Sequence, residues 1–135
     1  MQREEMSETE HTPGRHLEVT DAIIGAAIEV HRTLSAGFVE AVYERALCHE
    51  LAKRGLHVER QKVVKVFYDG VLVGEHRIDL LVEDTVVVEL KTVERILDVH
   101  TAQIMSTMKA AQRDVGLLLN FKQARLIDGV KRVVL

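Results

Sequence analysis

Apolar positions recur at helical spacing soon after the chain begins. Ile23, Ile24, Ala27, Ile28 and Leu34 share one face with His31, and Thr20 and Asp21 stand where an N-cap belongs. Ser35-Ala36-Gly37 breaks that pattern. A second helix is predicted from about Val39 to Arg54, with Gly55 placed to end it. The period then falls from 3.6 to 2. LHVERQKVVKVFYDG (56–70) and VLVGEHRIDLLVED (71–84) are rich in β-branched residues and meet at Asp69-Gly70, a strong hairpin turn. Glu83-Asp84 marks another turn before TVVVELKTV (85–93). Helical spacing returns from about Val99 to Gln112, with Ala102, Met105, Met108 and Ala111 as its expected inner face. VGLLLNF (115–121) is a continuous apolar run of strand length, and KRVVL closes the chain as a short strand. The order α-α-β-β-β-α-β-β predicts a single α/β domain over residues 17–135, a mixed β-sheet flanked by helices. Residues 1–16 are polar, acidic and aperiodic and hold the only proline, which predicts a mobile tail.

One strand carries a puzzle. In VVVELK (86–91), Val86, Val88 and Leu90 point one way, while Val87, Glu89 and Lys91 point the other. Two opposite charges therefore share a face whose neighbours look like core. They form either an ion pair at a strand end or part of a polar site built into the sheet. Asp79, ten residues earlier in RIDLLV, bears on the choice, because a hairpin about Glu83-Asp84 brings it to the same side. Arg77 offers a simpler partner for Asp79. Burying an unpaired carboxylate is expensive, so two of them call for a cation or a hydrogen-bonded partner. Two carboxylates, with waters and a substrate phosphate, make a good Mg²⁺ site. A lysine two residues along suits positioning the attacking water or offsetting phosphate charge. On the second helix Glu40 projects between Leu47 and Leu51, near Tyr43 and Ala46, and Glu50 falls on that face too. Gln103 on the later helix is able to hydrogen-bond a carboxylate or a water.

Composition narrows the field. Hydrophobic residues make up 47% of the chain and charged residues 29%, with mean hydropathy near zero, which is globular. No apolar run approaches the ~20 residues of a membrane span. The first fifteen residues lack the apolar core of a secretory signal. The one cysteine, Cys48, fits a reducing, cytoplasmic setting. The net charge is −3, and setting aside residues 1–16 leaves 16 Lys and Arg against 17 Asp and Glu, so the body is no basic nucleic-acid coat. A local patch of Lys53, Arg54, Arg60, Lys62 and Lys65 is either a solvated surface or a phosphate-binding one. Zinc spacing, GxGxxG, the P-loop and GxSxG are all missing, which removes the common zinc, dinucleotide, NTPase and serine-hydrolase readings. His31 on an apolar face is ordinarily a hydrogen-bonded core residue, with a site role as the alternative.

Gly37-Phe38-Val39-Glu40-Ala41-Val42-Tyr43 resembles the signature of the GxxExxY protein family, within the PD-(D/E)xK nuclease-like superfamily. The likeness runs through AAIEVHRTLSAGFVEAVYERAL, RIDLLV, VVVELK, HTAQ, LLLNF and KRVVL, in that order. It implies a restriction-endonuclease-like core with Asp79 and Glu89 as metal carboxylates and Lys91 as the catalytic lysine. Glu40 is implied as a further carboxylate near the metal and Gln103 as a supporting glutamine, while Gly37, Tyr43 and His31 belong to the motif region. The superfamily often places a tyrosine four residues after that glutamine, and Thr107 stands there instead. The expected activity is Mg²⁺- or Mn²⁺-dependent phosphodiester hydrolysis on DNA or RNA. The alternative is a nuclease-fold interaction module with little catalysis, which the near-neutral body favours. So small a domain has few elements with which to grip a duplex, and that calls for a homodimer or a protein partner.

Overall fold

The structure is a computed structural model that describes residues 16–135, so the expected tail, His16 apart, lies outside the described residues. Two helices come first, α1 (Leu17–Leu34) and α2 (Glu40–Lys53). The first starts three residues before the predicted cap. Thr20 lies inside it, fully buried, and its hydroxyl donates to the Leu17 carbonyl at 3.0 Å. Threonine can return a hydrogen bond to the preceding turn, so a cap-like residue need not mark a helix start. Arg54 and Gly55 end α2, with Gly55 at φ +88°.

Three strands follow, β1 (Val58–Tyr68), β2 (Val71–Val82) and β3 (Val86–Lys91), then α3 (Asp98–Ala111), β4 (Val115–Asn120), a 3₁₀ turn (Leu126–Gly129) and β5 (Val130–Val134). The sheet order is β1-β2-β3-β4-β5. Its one parallel pair is β3 with β4, joined across α3, and every other pairing is antiparallel. Asp69 and Gly70 both have positive φ, as a tight hairpin turn requires. The element order and the mixed sheet are those expected.

The sheet is covered on both faces. On one, Ile23, Ala27, Tyr43, Leu47 and Leu51 of the first two helices meet Leu80, Val88, Leu90, Leu117 and Phe121. On the other, Ile104 and Met108 of α3 meet Val64, Ile78, Val87 and Leu118. The buried face of α3 is Ile104, Thr107 and Met108, while Ala102 is exposed, so the expected face is rotated. Isoleucine buries more apolar area than alanine and sets the direction. β4 lies between two strands and under helices on both sides, and all six of its residues are buried.

The distal half of the β1–β2 hairpin is an uncovered arm. Val63, Phe67, Tyr68, Val71, Leu72 and Val73 are 41 to 75% exposed. No helix among the described residues is long and apolar enough to cross a membrane.

Candidate active site

The β2–β3 ladder pairs Val82 with Val86, Leu81 with Val87 and Leu80 with Val88, and ends there. The strands part at the next pair, Asp79 and Glu89. β3 does not lose its support, because β4 continues beside it through Lys91. Asp79 Oδ2 accepts the Leu90 backbone N–H at 2.9 Å, so its carboxylate fills the gap where the ladder stops. Glu89 lies on the α3 side of β3, alternating with the buried Leu90.

Neither carboxylate is comfortable. Burial pushes Glu89 up to about 8, the negative charge of Asp79 adds to the shift, and the nearby Lys91 opposes it. Burial raises Asp79 as well; the Leu90 amide opposes that rise, while Glu44 and Glu40 reinforce it. Glu89 Oε2 is buried with no hydrogen-bond partner. The ion-pair reading of Glu89 and Lys91 therefore leaves an oxygen unaccounted for. Arg77 makes no ion pair with Asp79 either: it is exposed, and the carboxylate turns to a backbone amide instead.

The surrounding residues fix the ends of the strands. Glu40 opens α2 and is exposed, contrary to the helical-wheel expectation that it faces the core. Its Oε2 accepts the Thr92 N–H at 3.1 Å, which ties α2 to the residue after Lys91. A first-turn position leaves a side chain free of the helix body, and the helix dipole favours an acid there. Glu50, on the same helix, is held by Lys53 at 3.2 Å and Arg54 at 2.8 Å and takes no part in the site. Tyr43 stacks on Phe121 at 4.6 Å, donates to the Ser35 carbonyl and accepts the Phe38 N–H at 3.1 Å. It thereby pins the loop through Gly37, whose φ of +125° suits glycine.

His31 is a core residue, its Nε2 2.9 Å from the Gln123 carbonyl. Gln123 in turn donates to the Glu94 carbonyl at 2.9 Å. Gln103 is exposed on α3, and its backbone carbonyl accepts the Thr107 hydroxyl at 3.1 Å. Thr107 is buried and also lies 2.9 Å from His76 Nδ1. Most of the basic patch is occupied by ion pairs: Lys53 and Arg54 with Glu50, Arg60 with Glu44, and Lys62 with Glu59.

Two contributors escaped the sequence reading. Asn120 ends β4 fully buried; its Oδ1 accepts the Val93 N–H at 3.1 Å and its Nδ2 donates to the Val93 carbonyl at 2.8 Å. It clamps the segment that leaves Lys91, and the signal was an amide closing an otherwise apolar run. Glu44 lies buried four residues after Glu40, a spacing that puts both on one helix stripe.

The donors suit a hard cation. Asp79 and Glu89 offer oxygen alone, and one oxygen is buried without a partner. Among the described residues no three or more His, Cys, Asp or Glu side chains form a cage for an ion, so Glu40 does not complete one. A pair of carboxylates is the protein share that Mg²⁺ typically takes, the rest coming from water and phosphate.

A mixed sheet covered by helices, parted at an aspartate opposite a Glu-x-Lys strand end, defines a nuclease-like domain. The PD-(D/E)XK nuclease superfamily model matches residues 17–133, and the chain belongs to that superfamily. No curated protein and no solved structure matches it significantly.

Proposed function

We propose that this chain is a divalent-metal-dependent phosphodiesterase acting on nucleic acid, of the GxxExxY branch of its superfamily. The observation that carries the reading is the Asp79–Glu89 pair, two half-buried carboxylates with raised pKa values and one orphaned oxygen. Asp79 and Glu89 would hold Mg²⁺ or Mn²⁺. When bound, the metal supplies a water acidified toward neutrality and a positive charge facing the phosphate oxygens. Lys91, whose charge already acts on both carboxylates, stabilises negative charge developing on the phosphate and orients the attacking water. Glu40 anchors the strand exit beside the two carboxylates, and the exposed Gln103 amide is available to the substrate. The single cysteine fits a cytoplasmic location.

A second reading, an interaction module with little catalysis, draws on the arm and on the neutralised patch. The arm's exposed apolar side chains suit a second copy better than a polyanion, so we assign it to a homodimer contact. The discriminating experiment incubates single- and double-stranded DNA and RNA with Mg²⁺ or Mn²⁺. Cleavage that falls by about 100-fold or more in Lys91→Ala, a loss typical of removing a charge-stabilising group, supports the enzyme. Failure to cleave any of the four substrates, alongside a stable dimer, favours the module.

A further inference from the structure

We infer that Glu44, acting through Gln61 and Arg60, positions Asp79 by locking a turnover of the β1–β2 ladder. This inference deepens the metal-site reading above and rests on it for its function. Around the site the hairpin pairs Arg60 with Leu80 and Lys62 with Ile78, while the intervening pair, Gln61 with Asp79, is missing. The flanking residues show why. Leu80 packs with α1 and α2, yet Ile78, two positions away and expected on the same face, packs with α3. β1 behaves likewise: Val58 packs toward the first two helices and Val64 toward α3. The ribbon therefore turns over within one residue of each strand, and Gln61 takes the left-handed conformation there, at φ +57°.

A non-glycine residue in that region is strained and persists only where its surroundings enforce it. Glu44 supplies the enforcement. Gln61 Nε2 donates to both oxygens of its carboxylate, at 2.9 and 3.1 Å, and Arg60 Nη1 donates to Oε2 at 3.0 Å. Glu44 is 7% exposed, and both its oxygens are engaged, so it is no spare metal ligand. The consequence falls on Asp79. A side chain in a regular strand stands off the sheet, whereas Asp79 lies toward the neighbouring strand and reaches the Leu90 amide. Glu44 is a positioning residue, and its charge is felt at Asp79.

The test compares full-length wild type with Glu44→Gln, Gln61→Gly and Glu50→Gln, all folded at the working temperature. The first readout needs no metal: the Leu90 amide resonance and its hydrogen-exchange rate report whether Asp79 is in place. The second is Mn²⁺ affinity by calorimetry. In Glu44→Gln and Gln61→Gly the Leu90 amide should shift and exchange faster. Mn²⁺ affinity should fall by ~10–100-fold, the usual effect of removing a group that orients a ligand. Gln61→Gly accepts the positive φ and removes only the amide contacts, so it remains informative if Glu44→Gln does not fold. Glu50→Gln, an equally buried glutamate bound only within its own helix, should lower Tm while leaving both readouts unchanged. A wild-type Leu90 amide in folded Glu44→Gln or Gln61→Gly overturns the inference. A shifted Leu90 amide in a protein whose wild type binds no Mn²⁺ upholds the positioning role and overturns the metal reading instead.

Discussion

Glu89 is where sequence and folding free energy pull hardest against each other. Its carboxyl is raised from 4.5 to about 8, with burial as the first cause. Between those values the unfolded chain has released a proton that the folded protein keeps. Stability of the metal-free protein therefore falls as pH rises from about 4.5 to about 8, then levels off. Asp79, also raised, works in the same direction. Urea unfolding at pH 5, 7 and 8.5 should show this loss, and Glu89→Gln should remove most of it. Metal competes with the same proton, so Mn²⁺ affinity should rise over that pH range. Asp79, Glu89 and Lys91 were legible because charges inside apolar strand runs stand out against a period of two. Glu44 and Asn120 were not. Their importance comes from contacts made across the fold, to Gln61 and Val93, which spacing along the chain does not contain.

Among the elements, hairpins and strands were the most legible, because turn residues and alternation are local signals. Helix starts and helix faces were less so. Thr20 reads as a cap and serves inside a helix, and α3 buries Ile104 where regular spacing favoured Ala102. The loop between α1 and α2 depends on Tyr43, whose hydroxyl bonds both Ser35 and Phe38. Tyr43→Phe strands those two backbone groups and should destabilise the protein by about 1–3 kcal/mol in urea titration. The packing of α3 on the sheet tolerates even less. A methyl at Gly116 meets Met108 Sδ at 2.7 Å, Ile104 Cδ1 at 3.0 Å and the Val87 carbonyl at 3.2 Å. Gly116→Ala should therefore cost about 1–3 kcal/mol, because the backbone oxygen cannot move aside as the side chains can.

At the scale of the whole molecule, the alternation of helical and strand periods was enough to predict the layered α/β architecture. The parallel pairing of β3 with β4 follows from the helix between them. The charge patch from the end of α2 into β1 was legible as a cluster, and so were its local partners, Glu50 at helical spacing from Lys53 and Arg54 and Glu59 near Lys62. The pairing of Arg60 with Glu44 was not, because Glu44 comes from another element. With those charges paired, nucleic-acid affinity should depend only weakly on Lys53 and Lys62, and charge reversal at either should change binding less than Lys91→Ala does. The arm makes its own prediction. A Phe67→Ser, Leu72→Ser double variant should run as a monomer in light scattering if wild type is a dimer, with little change in Tm, since both side chains are largely exposed.

Asp79, fixed by the Leu90 amide, and Glu89, with one oxygen left without a partner, are together the proposed seat of a divalent cation. Calorimetric titration of Mn²⁺, with and without an oligonucleotide, into wild type and into the Asp79→Asn, Glu89→Gln double variant tests it most directly. Wild type should bind, and the double variant, folded and at least as stable above pH 8, should not. Equal binding by both proteins, or none by wild type even with nucleic acid present, would contradict it.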